Sequence, residues 1–123
     1  MKKWLYFLLA VIFLSTLSIG CAKQEKAKVP YKIGINNAVT GGFAVYAMDY
    51  QRAYEMLAEK INAEGGINGH PVELVIRDSE SDAVKSSNNV RSLADAGVLA
   101  IIGSPDFGLA VVDVPVAEEV KVP

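Results

Sequence analysis

Three short apolar runs, each followed by a helix-length segment, constrain this chain more than any other feature. Tyr31-Lys32-Ile33-Gly34-Ile35-Asn36 alternates like a strand with Ile33 and Ile35 on one face, and Val72-Glu73-Leu74-Val75-Ile76-Arg77 is a second strand. Val98-Leu99-Ala100-Ile101-Ile102 is continuously apolar, as a strand covered on both faces should be. Strand then helix, three times in about 93 residues, predicts βαβ units with right-handed crossovers. The expected fold class is α/β: three layers, a parallel β-sheet with helices on both faces.

The helical segments differ in clarity. From about Ala44 to Glu64, residues Tyr50, Ala53, Tyr54, Leu57, Ala58 and Ile61 recur at steps of three and four, predicting a core-facing stripe. Gly65-Gly66 stops that helix, because the residue past a helix end often takes a positive φ. Asn68-Gly69 then marks a tight turn, in which His70 is expected as an exposed turn residue. Asp82 is a candidate N-cap for a second helix through about Ala96, with Ala83, Ser87, Val90 and Ala94 as a thin stripe. A third helical segment follows Gly108, and Pro115 inside it predicts a kink or a shifted start. A further strand would be due after Val122-Pro123, so the chain is expected to be a piece of a larger protein.

Residues 1–20 stand apart from this body. Lys2 and Lys3 precede an unbroken apolar run from Trp4 to Leu14, the pattern of a secretory signal, with a permanent N-terminal anchor helix as the alternative. A spanning helix wants about 20 apolar residues, and Ser15, Thr16 and Ser18 interrupt this run. The single cysteine falls where the run ends, in Leu17-Ser18-Ile19-Gly20-Cys21-Ala22, which resembles the lipobox of bacterial lipoproteins. That resemblance makes Cys21 the lipid-attachment residue and the mature N-terminus, although Ser18 stands where a large aliphatic residue is usual. Ordinary cleavage after Ala22 is the alternative. Residues 21–30, with Lys23, Glu25, Lys26 and Lys28, read as a flexible tether, and residues 31–123 as the folded domain. Losing residues 1–20 removes two lysines and no acid, taking the formal charge from −2 to −4.

That balance gives no basic footprint for a nucleic acid. One Cys and one His are too few for a structural zinc site, so no metal and no cofactor are expected. Catalytic motifs are missing as well: there is no G-x-S-x-G, P-loop or G-x-G-x-x-G, which argues against an enzyme. Asp78, Glu80 and Asp82 lack the Gly and the distant Glu of a calcium loop, and read as a helix cap plus a solvated turn. In open α/β sheets ligands sit beyond the carboxyl ends of the strands, where strand order reverses. For order 2-1-3 this selects the loops Asn36–Ala47 and Ser104–Gly108. Both open helices, so their backbone N–H groups are candidates to receive an anion, with Thr40, Tyr46 and Ser104 adding hydroxyls.

From Tyr31 onward the chain resembles the N-terminal lobe of branched-chain amino-acid binding proteins, the type I periplasmic substrate-binding proteins of ABC importers. The resemblance is carried by Tyr31-Lys32-Ile33-Gly34-Ile35, Val39-Thr40-Gly41 and Ile61-Asn62-Ala63-Glu64-Gly65-Gly66-Ile67-Asn68-Gly69. Glu73-Leu74, Asp78, Asp82, Ile101-Ile102-Gly103 and Pro115-Val116-Ala117-Glu118-Glu119 continue it. It implies a cleft between two lobes that close on a small-molecule ligand, an amino acid or analogue. It also implies ABC permease subunits as partners and an exported protein held at the outer face of the cytoplasmic membrane, or in the periplasm, through its N-terminal lipid. By the same resemblance Tyr46 stands where an aromatic lies against the ligand, and Phe107, within Ser104–Gly108, where a Ser holds its carboxylate. Several positions depart from the pattern: Asn37-Ala38 replaces Gly-Pro, Ala47 replaces Gly, and Lys121 replaces a Gly near the end of the third helix. Phe107 in place of Ser, with Asp106 beside it, leads us to expect a ligand less zwitterionic than leucine. A ligand-sensing receptor domain and a non-functional gene fragment are the alternative readings.

For the N-terminus, Cys21→Ser in the exported chain is expected to abolish an acyl mass increment and to move the protein from the membrane fraction to the soluble one. An unmodified mature chain beginning after Ala22 in the wild type would contradict this.

Overall fold

The computed structural model describes residues 28–123; the signal segment, Cys21 and most of the tether lie outside the described residues. The elements are β1 (Tyr31–Asn37), α1 (Ala44–Ala63), β2 (Val72–Asp78), α2 (Ala83–Asp95), β3 (Ala100–Ile102) and α3 (Phe107–Val120). All strand pairs are parallel in the order β2-β1-β3, with Ile33 opposite both Leu74 and Ala100. The alternating-element reading therefore holds, and β1 is the central strand.

Strand alternation assigns the two faces. Gly34 faces α2, where an added Cβ would lie 3.2 Å from Leu93 and from Val98, so only hydrogen leaves comfortable room there. Asn36 faces the same side and bonds to Ser86 of α2 and Asp113 of α3. On the opposite face Ile33 lies beside α1 residues, and Asn37 Nδ2 donates to the Ala47 carbonyl. Helices thus cover both sheet surfaces, α1 on one and α2 with α3 on the other.

The structure corrects four expectations. In α1 only Ala47 and Ala58 are buried, while Tyr50 and Leu57 of the anticipated core stripe are exposed. Among the described residues α1 is the one helix on that sheet face, so the flanks of its stripe, including Tyr50 and Leu57, have no neighbouring helix to pack against. An apolar groove of about 140 Å³ remains between Tyr54, Leu57 and Ile61 of α1 and the sheet residues Ile33, Leu74 and Ile102. In α2 the buried face is Ser86, Val90 and Leu93, rather than Ala83, Ser87, Val90 and Ala94. β3 is shorter than predicted, and it is covered incompletely: Ile102 is exposed, while the Ile101 N–H on the outer edge reaches the Pro123 carbonyl at 2.7 Å. His70 is half-buried, stacked on Tyr31 with ring centroids 4.6 Å apart, and its Nδ1 lies 2.8 Å from the Val29 carbonyl oxygen.

α3 runs unbroken through Pro115 from Phe107 to Val120, starting two residues earlier than anticipated. It closes on Lys121, whose φ of 57° is the left-handed conformation for which glycine is the easier residue.

The seam between α2 and α3 is polar at its centre. Asp113 Oδ2 accepts from Asn36 Nδ2 and Ser86 Oγ, both at 2.8 Å, and Asn89 Nδ2 donates to Asn36 Oδ1 at 3.1 Å. Asp113 is 7% exposed, and its Oδ1 has no partner among the described residues. It borders a cavity of about 340 Å³ with Val90, Ile101, Ser104, Val114 and Ala117. Burial pushes the Asp113 carboxyl above its ordinary value, against the opposing hydrogen bonds from Ser86 and Asn36. A raised folded-state value means the ionised form weakens the fold, so the contribution present in acid is lost as pH rises through that value. Asp113→Asn keeps an acceptor for both donors and removes the charge. It is expected to raise the melting midpoint at pH 7, by about 1 kcal/mol or about 4–8 °C, with the gain vanishing below about pH 4. Thermal melts of the two proteins across pH 3–8 check this.

Candidate functional site

The β1–α1 and β3–α3 loops emerge side by side at the carboxyl end of the sheet, because β1 and β3 are paired in parallel. Their closeness has a packing cause. Ala38 from the first loop, Ala47 from α1 and Leu109 from the first turn of α3 form a buried cluster, with Phe43 packed against it. Small side chains at 38 and 47 let α3 approach; the substitutions noted as departures in the sequence, Ala38 and Ala47, are thus part of this junction.

Polar contacts shape the first loop. Asn37 Oδ1 accepts the Ala38 N–H at 3.0 Å while its Nδ2 holds the Ala47 carbonyl at 2.8 Å, closing the loop across ten residues. Asp78, at the end of β2, accepts from Thr40 Oγ1 (2.6 Å), from Thr40 N–H (3.3 Å) and from Glu80 N–H (2.9 Å). Ser81 Oγ accepts the Phe43 N–H and donates to the Thr40 carbonyl. Partial burial raises the Asp78 carboxyl, but the Thr40 hydroxyl, the Glu80 and Thr40 amides and the Lys85 charge outweigh it and leave it below its ordinary value. Asp82 caps α2 by accepting from Lys85 N–H at 2.7 Å, as its position suggested, and the Lys85 side chain pairs with Glu80.

Glu80 and Ser81 both take left-handed backbone, φ 53° and 61°, which presses their turn against Gly41. Gly41 itself sits at φ 85°, and a Cβ there would overlap the Glu80 carbonyl. The turn read as merely solvated is therefore a brace for the first loop. Sequence reasoning missed the bracing roles of Asn37, Asp78 and Ser81; the only signal was that polar residues follow two apolar strands at the same end of the sheet.

Each anticipated site residue has a distinct position. Tyr46 is 63% exposed, its ring 5.3 Å from that of Phe43 and tilted by 40°. Phe107, the first residue of α3, is 81% exposed. Gly108 is exposed, and its N–H donates to Asp106 Oδ1 at 2.8 Å. Ser104 is only 8% exposed and its Oγ accepts the Asp106 N–H at 3.2 Å, so it faces inward toward the Asp113 cavity. The Ala38–Ala47–Leu109 cluster joins the first loop to the start of α3, with Tyr46 and Phe107 exposed on the helices that open there and Ser104 buried. Among the described residues no three His, Cys, Asp or Glu side chains are grouped to hold a metal ion, and no helix is long and apolar enough to cross a membrane.

A parallel sheet with helices on both faces, its first and third loops meeting where strand order reverses, defines a doubly wound α/β domain. The periplasmic binding protein family profile matches residues 30–123, and the chain belongs to that family. It is 33% identical over 96 residues to the leucine-, isoleucine-, valine-, threonine-, and alanine-binding protein of Pseudomonas aeruginosa, covering 77% of this chain and 26% of that protein. A Leu/Ile/Val-binding protein homolog of Brucella abortus is 33% identical over 79 residues, 64% of this chain and 21% of the relative. The branched-chain amino acid transporter substrate-binding protein of Streptococcus pneumoniae, solved in complex with isoleucine, superposes with a TM-score of 0.74 at 30% identity. That match covers 78% of this chain and 28% of the other. The chain thus spans between a fifth and three-tenths of the length of these relatives.

The brace makes a direct prediction. Gly41→Ala is expected to destabilise the fold by about 2 kcal/mol or more, whereas Gly42→Ala, with nothing within 4 Å of the added Cβ, should change it by less than about 1 kcal/mol. Urea titrations of the two variants separate these outcomes.

Proposed function

We propose that this chain forms one wall of the ligand cleft of an exported solute-binding protein that delivers an amino acid or related small molecule to the permease subunits of an ABC importer. The observation that carries the reading is the junction of the β1–α1 and β3–α3 loops at the carboxyl end of a parallel sheet, with Tyr46 and Phe107 exposed on the helices that follow those loops. Membership of a binding-protein family supports it, as do the branched-chain amino acids named for the Pseudomonas relative and the isoleucine in the Streptococcus structure. In this reading Tyr46 and Phe107 supply apolar contact, Gly108 lets the ligand approach the backbone, and Ser104 supports the loop from below. Export follows the N-terminal signal, and Cys21 carries the lipid that keeps the protein at the membrane.

One wall buries only part of a ligand, while closed pockets cover about 70–90% of its surface. Binding by this chain alone is therefore expected to be weaker than about 1 mM. Titration of the isotope-labelled chain with millimolar amino acids and their amides, followed by NMR, should shift amides confined to residues 40–47 and 103–108. Tyr46→Ala should reduce those shifts. Shifts confined to other surfaces would overturn the proposal.

A further inference from the structure

Several of the hydrogen-bond donors in these two loops are engaged by acceptors of the same loops or of the turn after β2. At the start of α3 the Gly108 N–H donates to Asp106 Oδ1, and the Leu109 and Ala110 N–H groups reach the Asp106 carbonyl, both at 3.1 Å. Three of the first four amides of that helix are therefore engaged, and the group occupying the end of the helix is itself a carboxylate. The Ser104 hydroxyl is buried and receives the Asp106 N–H. In the first loop Ala38, Thr40 and Phe43 donate their N–H groups to Asn37, Asp78 and Ser81, and the Thr40 hydroxyl also goes to Asp78.

Charge points the same way. Residues 36–51 and 100–117 contain no Lys, Arg or His. Arg52, the next basic residue along α1, lies 3.3 Å from Asp49, and Lys85 pairs with Glu80. A carboxylate moved out of water onto this wall would meet the Asp106 carboxylate with no cation in either loop to offset the loss of hydration. Exposed Tyr46 and Phe107, by contrast, offer ring faces that accept an apolar group or an ammonium.

Resting on the reading that this rim is a ligand wall, we infer that the ligand group received here carries no carboxylate, being an uncharged amide or apolar body, and that Asp106 is the residue that excludes the anion. This is the reverse of the anion-receiving role anticipated from the loops alone.

The test uses the labelled full chain, NMR titration, and three probes of the same size class: L-leucine, L-leucinamide and N-acetyl-L-leucinamide. Both amides are expected to shift the residue 40–47 and 103–108 amides at concentrations about fivefold or more below leucine. Asp106→Asn keeps the cap, since Asn accepts the same N–H, and should bring leucine to within about twofold of the amides. Leucine acting at concentrations equal to or below the neutral amide would overturn the inference. So would a gain limited to cationic leucinamide, which would point to the general acidity of the chain, or an unchanged preference in Asp106→Asn. Loop amides that respond to none of the probes would instead remove the ligand-wall reading itself, and the inference with it.

Discussion

Pairing of β1 on both edges is the constraint from which the rest of the molecule follows. Being central, β1 must satisfy two ladders and two helical layers, so its side chains are committed in alternate directions: Ile33 and Asn37 to the α1 side, Gly34 and Asn36 to the α2 and α3 side. The same pairing delivers its carboxyl end beside that of β3. Only then can Ala38, Ala47 and Leu109 meet and bring two loops, 60 residues apart in sequence, to a common rim.

The interior around this strand is unusually polar for so small a sheet. Asn36, Asn37, Ser79, Ser86 and Asp113 are all buried. Buried polar groups are tolerable when each has a partner, and here the partners come from different elements: Asn36 joins β1 to α2 and α3, Asn37 joins β1 to α1, and Ser79 Oγ returns to the Asn37 carbonyl. Such contacts specify which helix packs where, because a shifted register would strand amides and hydroxyls away from water. Asp113 Oδ1, which has no partner among the described residues, is the exception in this group.

Much of the architecture was legible beforehand. Strand alternation, the Gly65-Gly66 stop and the Asp82 cap report local backbone preferences, and these survive into the structure. The failures share a cause. Periodicity states which side chains lie on one helix face but not what is packed against it, so Tyr50 and Leu57 were expected in a core that a single helix does not complete. Ser86 fell outside the expected apolar stripe because its partners Asn36 and Asp113 lie 50 and 27 positions away. At the site, the exposure of Tyr46 and Phe107 follows from their places at helix starts beyond the strand ends, whereas the burial of Ser104 and the capping of Gly108 by Asp106 depend on rotamers and loop closure that no spacing reveals.

What the amino-acid order determined alone is the class: six alternating elements, parallel pairing, a signal-like start and loops of small residues at the carboxyl ends. These rest on short-range sterics and on apolar spacing, both encoded within a few neighbouring residues. Tertiary structure decided the chemistry of the rim. Whether a backbone N–H remains available to a ligand depends on every acceptor that folds to within about 3 Å of it, and those acceptors, from Asp78, Ser81 and Asp106, reach the loops only once the sheet has formed.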